Sequence, residues 1–378
     1  MPQSTFDASQ QPSSSLISFI MTTQTVYRLT LASGIDGLHS VKEPIPSPGP
    51  YEVLIRIHAV ALNYRDIAIA TGQYPLPAIN NVVPTSDMAG EVLELGDKVS
   101  SLAVGDKVIP PVSSTYLYGK FKEGDDAFGS QHDGMLRQYV VLPENILVKL
   151  PESNLGWDQW ASVLGTGSTV WSAFYGKTIL KPGDFVLIQG KVVLIFDNIL
   201  LRGTGTGGVS ITALVFAKAA GAKTIITSSS DEKLQRAKLL GADHLINYKT
   251  HPYWATEVLR ITDGVGVDHV IENGGIGTIE QSLECVAAGG QISLIGFLSD
   301  NNGVQPSILM PALIKAVTVQ GIRAGSKNQL EEAVRFIGRD ELNMPVDKSF
   351  GFSRKEVVAA FRYVADGKHF GKVCIKVD

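Results

Sequence analysis

Val53, Ile55, Ile57, Ala59 and Ala61 alternate with neighbours that include Arg56 and His58. A period of two predicts a half-buried β-strand. Short apolar runs near 90–95, 107–109, 134–141 and 146–149, punctuated by Gly-Asp and Pro, predict further strands. Residues 27–150 therefore read as a compact, barrel-like β domain. Beyond 151 the period changes. Helical patterns at 210–220, 231–240 and 277–287 alternate with strand-like runs at 184–189, 223–227, 267–272 and 291–295. Such alternation predicts parallel βαβ units covered on both faces. The tail from 317 adds a strand, two helices and a last strand at 372–377. Ser326 with Gln329, and Ser353 with Glu356, match the capping box that opens a helix.

The chain's 378 residues exceed one small domain, so two are expected. A net charge of −4 argues against nucleic acid as a partner. Two cysteines, Cys285 and Cys374, exclude a disulfide scaffold and a four-cysteine zinc site; both lie in apolar patterns and read as reduced core residues. The most apolar window, 185–201, holds Gln189, Lys191, Asp197 and Asn198 and makes a poor membrane span. Residues 1–24 read as a disordered tail. Its first twenty residues carry no Lys or Arg, unlike a secretory or transit peptide. The expected compartment is cytoplasmic. Met21, which opens a more regular stretch, is a candidate natural start.

The strongest chemical signal is Gly203-Thr-Gly205-Thr206-Gly207-Gly208. It contains G-x-G-x-x-G, follows an apolar strand and opens a helix, the context in which such glycines let backbone N–H groups approach a pyrophosphate. Dinucleotide binding is expected; the alternative is a ligand-free turn. An NAD site wants an Asp or Glu about 20 residues past the glycines. Thr227-Ser228-Ser229-Ser230 stands there instead, with Lys233, Arg236 and Tyr248 following. Hydroxyls plus cations suit a 2′-phosphate, which favours NADP(H). Ser229 with Glu232 also matches a capping box, and Lys233 alternatively reads as a solvated charge.

These features, with 61-ALNYRD-66, 72-GQYP-75, 87-DMAGEV-92, 206-TGGVS-210, 240-LGAD-243, 289-GGQISLIG-296 and 370-FGKV-373, resemble the medium-chain dehydrogenase/reductase superfamily, and within it the zinc-free, quinone-oxidoreductase-like branch that includes zinc-type alcohol dehydrogenase-like proteins. The resemblance implies an α/β protein. A GroES-like β-barrel domain (25–150 and 304–378) would accompany a Rossmann doubly wound parallel-sheet domain (151–303), with the active site in the cleft between them. It also implies a homodimer through the Rossmann edge and no membrane partner. Zinc-binding members carry a Cys after the first barrel strand and a later His-Glu pair. Asn63-Tyr64 and Ser86-Asp87 stand in those places here, the cysteine lobe is missing, and no metal site is expected.

The function so implied is an NADPH-dependent oxidoreductase that passes hydride to a quinone or an α,β-unsaturated carbonyl without zinc. The alternatives are a zinc-independent alcohol dehydrogenase, a catalytically silent NADPH-binding protein and a defective splice product. Tyr74 aligns with the proton donor proposed in similar enoyl reductases, and a phenol of pKa ~10 can protonate an enolate held close; it otherwise reads as a turn aromatic before Pro75. Asn63 and Tyr64 would line the substrate oxygen or the nicotinamide ribose. Arg65 and Asp66 read as a structural pair. Gly205, Thr206, Gly207, Gly208 and Val209 would cradle the pyrophosphate, and Ser229, Lys233 and Tyr248 the 2′-phosphate. Thr169, Asn273, Gly296 and Phe297 resemble the nicotinamide surroundings, and Ser326 and Lys372 would reach the phosphates.

One departure stands out. Relatives run from the first strand straight into the glycine turn, whereas 190-GKVVLIFDNILLRGT-204 intervenes here. The length suits a short retained intron in a conceptual translation, and Gly190-Lys191 can span a donor site. If the segment is present, either 198–202 replaces 186–189 as the central strand, or 186–189 keeps its place and the insert bulges at the pyrophosphate site. Both outcomes weaken coenzyme binding relative to relatives.

Overall fold

The computed structural model describes residues 22–122, 126–190, 206–296 and 305–378, and the backbone of 194–196 and 199–201. The expected N-terminal tail up to residue 21, most of the 190–204 segment, Gly203, Gly205 and Phe297 lie outside the described residues.

The alternating strand runs over Glu52–Leu62. Its first half is half-buried, with Arg56 exposed, but Ala59 through Leu62 are buried on both faces. The reason is a 19-residue helix, Trp157–Tyr175, that packs on this strand and on Asp87–Leu95. The composition 165-GTGST-169 hides this helix from propensity reasoning. Its glycines are packing devices: a Cβ on Gly165 would lie 2.9 Å from the Asp87 carboxylate. Around Glu52–Leu62 the barrel sheet closes in the order Val346–Phe350, Lys372–Lys376, Glu52–Leu62, Asp87–Leu95, Lys107–Ile109 and Val148–Lys149, with Tyr139–Pro143 also on Glu52–Leu62. The last strand thus joins the barrel, with Val373 opposite Leu62. Val346–Phe350 is a strand the pattern did not announce; only Val346 and Phe350 at its ends are apolar, and it pairs with the buried Lys372–Lys376 strand.

The second sheet has six strands, in the order His244–Asn247, Lys223–Ser228, Phe185–Ile188, Val267–Glu272, Val286–Leu294 and Thr318–Gly321. Every pairing is parallel. In chain order this is 3-2-1-4-5-6. The direction of winding reverses between Phe185–Ile188 and Val267–Glu272, where such sheets open a crevice at their carboxyl ends. Phe185–Ile188 therefore keeps the central place, and Leu194–Phe196 pairs with Ile199–Leu201 in a separate two-stranded ribbon. Helices Gly208–Ala219 and Asp231–Leu239 begin and end close to expectation. The pattern at 277–287 yields a shorter helix, Ile279–Cys285, because Val286 already starts the fifth strand. Ser326 and Ser353 cap Lys327–Arg339 and Arg354–Ala365. Cys285 and Cys374 are free and buried. The architecture is α/β, a GroES-like barrel beside a Rossmann-like parallel sheet. Among the described residues no helix is long and apolar enough to cross a membrane.

Candidate active site

A cavity of about 520 Å3 lies between the barrel and the carboxyl ends of the parallel strands. One wall is the glycine turn. Gly207 is the N-cap of helix Gly208–Ala219, and the N–H of Gly371 donates to the Thr206 carbonyl at 2.7 Å. A Cβ on Gly208 would lie 2.6 Å from Cδ of Lys372, so only glycine admits the lysine stem. A Cβ on Gly207 would meet open space. The Thr206 Oγ1 is buried with no partner among the described residues. Open helix N–H groups, an orphaned hydroxyl and a side-chain-free approach fit the diphosphate of a dinucleotide.

At the switch point the Gln189 side chain ties the first and fourth strands together. Its Oε1 accepts from the N–H groups of Asn273 and Gly274, and its Nε2 donates to Glu272 at 2.6 Å. Asn273 Nδ2 donates to Ser210 Oγ, which donates to the Gln189 carbonyl. Glu272 is fully buried, and burial pushes its carboxyl up; hydrogen bonds from Thr278, Ser282, Gly275 and Gln189 oppose this. Gly296 sits so close that a Cβ would strike the Asn273 carbonyl. Asn273 and Gly296, with Thr169 and Val209, line the cavity.

The opposite wall comes from the barrel. Asn63, Tyr64 and Tyr74 line it. Burial raises the Tyr64 phenol. Arg65 Nε donates to the Tyr74 hydroxyl at 3.4 Å, and its other nitrogens bond the Phe128 carbonyl and Ser130 Oγ. The expected Arg65–Asp66 pair is long, at 4.0 Å. Asp66 chiefly accepts the Asn63 backbone N–H at 2.8 Å. Lys372 is 4% exposed, and its ammonium bonds Leu62 O at 2.9 Å, Asn63 Oδ1 at 2.7 Å and Asp87 Oδ2 at 3.2 Å. Among the described residues the charged side chains lining the cavity are Arg65, Arg323 and Lys372, all basic, as an anionic coenzyme wants.

Several expected coenzyme residues are engaged by partners within the protein. Lys372 runs past the glycine turn, but its ammonium faces the barrel floor rather than the phosphates, drawn by the buried Asp87. The Ser326 hydroxyl is used as the helix cap, accepting from Gln329 N. Lys233 is buried rather than solvated, donating to the Gly367 and His369 carbonyls; burial lowers its ammonium to about 8. Arg236 pairs with Asp347 and covers the Phe370 ring. The helix at 231 is capped by Ser230, not Ser229. Ser229 is instead hydrogen-bonded to the Tyr248 hydroxyl at the ends of adjacent strands. Sequence reasoning named Asp87 only as a replacement for a metal ligand and missed Gln189, Glu272, Ser210 and Arg323. A lysine inside the apolar run 370-FGKVCI-375 was the available signal, since a buried lysine requires a buried acceptor.

Two sheets, an intervening cleft and a glycine turn at the switch point define a two-domain, dinucleotide-type oxidoreductase. Comparison agrees. Residues 49–152 match the alcohol dehydrogenase GroES-like domain and 208–339 the zinc-binding dehydrogenase domain. A zinc-type alcohol dehydrogenase-like protein of Schizosaccharomyces pombe is 39% identical over 354 residues, spanning 92% of this chain and 97% of the relative. A putative alcohol dehydrogenase structure from Sinorhizobium meliloti superposes with TM-score 0.82 at 36% identity, covering 94% and 98% of the chains. A quinone oxidoreductase structure from Pseudomonas syringae gives 0.73 at 27%, covering 93% and 99%. The chain belongs to the medium-chain dehydrogenase/reductase family of oxidoreductases.

Zinc, which the second matched domain's description names, does not fit the residues at hand. Among the described residues no three His, Cys, Asp or Glu side chains converge on a metal position. The Asn63 and Asp87 oxygens already face an ammonium, which repels a divalent cation.

Proposed function

We propose that the chain is an NADPH-dependent reductase of quinones or α,β-unsaturated carbonyls that works without zinc. The observation that carries the reading is the cavity itself: a phosphate-type turn on one wall, and Asn63 and Tyr74 on the other. NADPH, when bound, supplies a hydride to the electrophilic carbon of the substrate. The chain's residues do the rest. Gly207, Gly208, Thr206 and Val209 would hold the coenzyme, and Asn273, Gly296 and Thr169 would surround its nicotinamide. The Asn63 amide donates to the substrate oxygen as the C=C pair shifts into the bond to the carbonyl carbon and the C=O pair moves onto that oxygen. The Tyr74 hydroxyl releases a proton to the neighbouring carbon, and Arg65, bonded to that hydroxyl, stabilises the phenolate left behind. Ser229 and Tyr248, with no carboxylate at the strand tip, support a 2′-phosphate and hence NADP(H) over NAD(H).

The same reading includes a second copy of the chain. Thr318–Gly321 is an edge strand among the described residues. Beside it Leu309, Leu313 and Ile314 are 84%, 72% and 75% exposed. An open edge beside an apolar helix suits self-pairing across a two-fold axis.

The test is coenzyme oxidation with a panel of quinones, enones, aldehydes and alcohols. The expected result is NADPH consumption with quinones or enones, unchanged by chelators and reduced in Tyr74→Phe. No turnover on any quinone or enone overturns the reading, and preferred oxidation of alcohols replaces it with a dehydrogenase.

A further inference from the structure

The Lys372 ammonium is buried on the cavity floor, yet it is saturated. An ammonium has three N–H donors. Here they meet three acceptors, the Leu62 carbonyl, Asn63 Oδ1 and Asp87 Oδ2. No donor is left for a substrate or a phosphate, so whatever Lys372 does for the reaction it does through a neighbour.

Of the three partners Leu62 and Asn63 line the cavity, and Asn63 is the one that brings a polar side chain to it. Its amide has two ends, an acceptor oxygen and a donor NH2. Lysine fixes which end faces it, because an ammonium donates only, and only the oxygen can accept. The NH2 then points away from Lys372, and no described residue accepts a hydrogen bond from it. Both ends of the arrangement are clamped. The Asn63 backbone N–H is held by the Asp66 carboxylate at 2.8 Å. Asp87 is held by the Ser86 hydroxyl at 2.8 Å and by Gly165 N–H at 3.1 Å. Lys372 is rooted in a strand whose next residue, Val373, pairs with Leu62. An amide whose oxygen binds a cation is also more polarised and a stronger donor at its nitrogen.

We infer that Lys372 is a positioning residue, gripping the Asn63 amide oxygen so that the Asn63 NH2 is presented to the carbonyl oxygen of the substrate. The inference rests on the reductase reading above for its substrate, but not for its geometry. Asp87 serves as the counter-charge that keeps the ammonium in place, and the trio supplies, without a metal, a fixed donor to the oxygen that becomes negative.

Four proteins test this as coenzyme complexes: wild type, Lys372→Met, Asn63→Ala and the double variant. Asn63→Asp joins them, because it keeps an acceptor for Lys372 while removing the donor, and so folds even if Lys372→Met does not. In the wild-type background Lys372→Met is expected to lower kcat about tenfold or more, with NADPH affinity within about threefold. In the Asn63→Ala background the same replacement is expected to change kcat by less than about threefold. Asn63→Asp is expected to lose about tenfold or more in kcat. A second readout is independent of turnover. Binding of 4-nitrophenolate, an enolate mimic, to the NADP+ complex is expected to weaken about tenfold in Lys372→Met and in Asn63→Asp. Equal losses from Lys372→Met in both backgrounds would overturn the inference, as would weakened NADPH binding with unchanged kcat, or full activity in Asn63→Asp. If wild type reduces nothing on the panel, the nitrophenolate pattern decides alone: its presence keeps the inference while the reductase reading falls, and its absence removes both.

Discussion

The backbone N–H of Gly371 donates to the carbonyl of Thr206 at 2.7 Å, so the turn proposed to hold a diphosphate is bonded to the segment that leads into the strand carrying Lys372. Coenzyme wall and barrel floor are therefore one connected piece. Gly371 has φ +84°, and a Cβ there would sit 3.3 Å from the Pro345 carbonyl. Gly371→Ala is expected to lower stability by about 1–2 kcal/mol. It should weaken NADPH binding as well, because the turn shifts with the strand. Thermal melts and a fluorescence titration check both, and an unchanged melt with unchanged affinity would show that the two walls are independent.

Asp66 gives the fold a pH dependence of definite sign. Burial is the main cause that raises its carboxyl from 3.8 to about 6, against the pull of Arg65 and the Asn63 N–H. The folded protein therefore binds this proton more tightly than the unfolded chain does. The stability contributed by the protonated carboxyl is full below the unfolded value and is lost as pH rises through about 6. A gap of that size corresponds to roughly 3 kcal/mol. Asp66→Asn retains an oxygen for the Asn63 N–H and has no proton to lose. Its stability relative to wild type is expected to rise between about pH 4 and pH 7 by an amount of that order. Denaturant melts across the range check it; parallel stability curves for the two proteins would show that Asp66 does not titrate there.

Much of the fold was legible because local pattern and tertiary need coincide. The run 267–272 carries the β-branched Val267, Val270 and Ile271, and it is a central strand over those same residues. Asp231–Leu239 carries its cap and charges in its own sequence. Trp157–Tyr175 was not legible, because Gly165 is chosen for contact with a barrel strand rather than for helix propensity. The candidate site divides the same way. Asn63, Tyr74, Gly207, Gly208, Asn273 and Gly296 meet at one cavity, and each sits in a recognisable local phrase. The commitments of Lys372 to Asp87, and of Lys233 to the Gly367 carbonyl, join residues 285 and 134 positions apart in the chain. No window of sequence contains both partners, and a cation near a glycine turn then reads as a phosphate ligand when its acceptor lies elsewhere.

The exposed side chains beside Thr318–Gly321 give the self-pairing proposal a direct check. Leu313→Glu places a charge in an apolar face, where like charges would meet across a two-fold axis. It is expected to shift the protein from dimer to monomer in sedimentation velocity while the melting temperature of the monomeric fold changes little. A wild-type protein that sediments as a monomer removes the proposal, and a dimer unaffected by Leu313→Glu moves the interface elsewhere.

Coenzyme choice turns on one position. Ser229 stands at the end of the second parallel strand, where an acidic side chain would accept from both hydroxyls of an unphosphorylated ribose and repel a 2′-phosphate. Its hydroxyl is hydrogen-bonded to Tyr248 and is not consumed by the helix cap, which Ser230 supplies. Lys233 and Arg236 are tied to the 366–371 segment and to Asp347, so discrimination falls chiefly on the Ser229–Tyr248 pair. Ser229→Asp is therefore expected to weaken NADPH binding about tenfold or more while strengthening NADH. Tyr248→Phe should weaken NADPH by a smaller factor and leave NADH unchanged. Parallel fluorescence titrations with both coenzymes measure this. Equal affinity of the wild type for NADPH and NADH, or no change in preference in Ser229→Asp, would place the ribose away from this strand end.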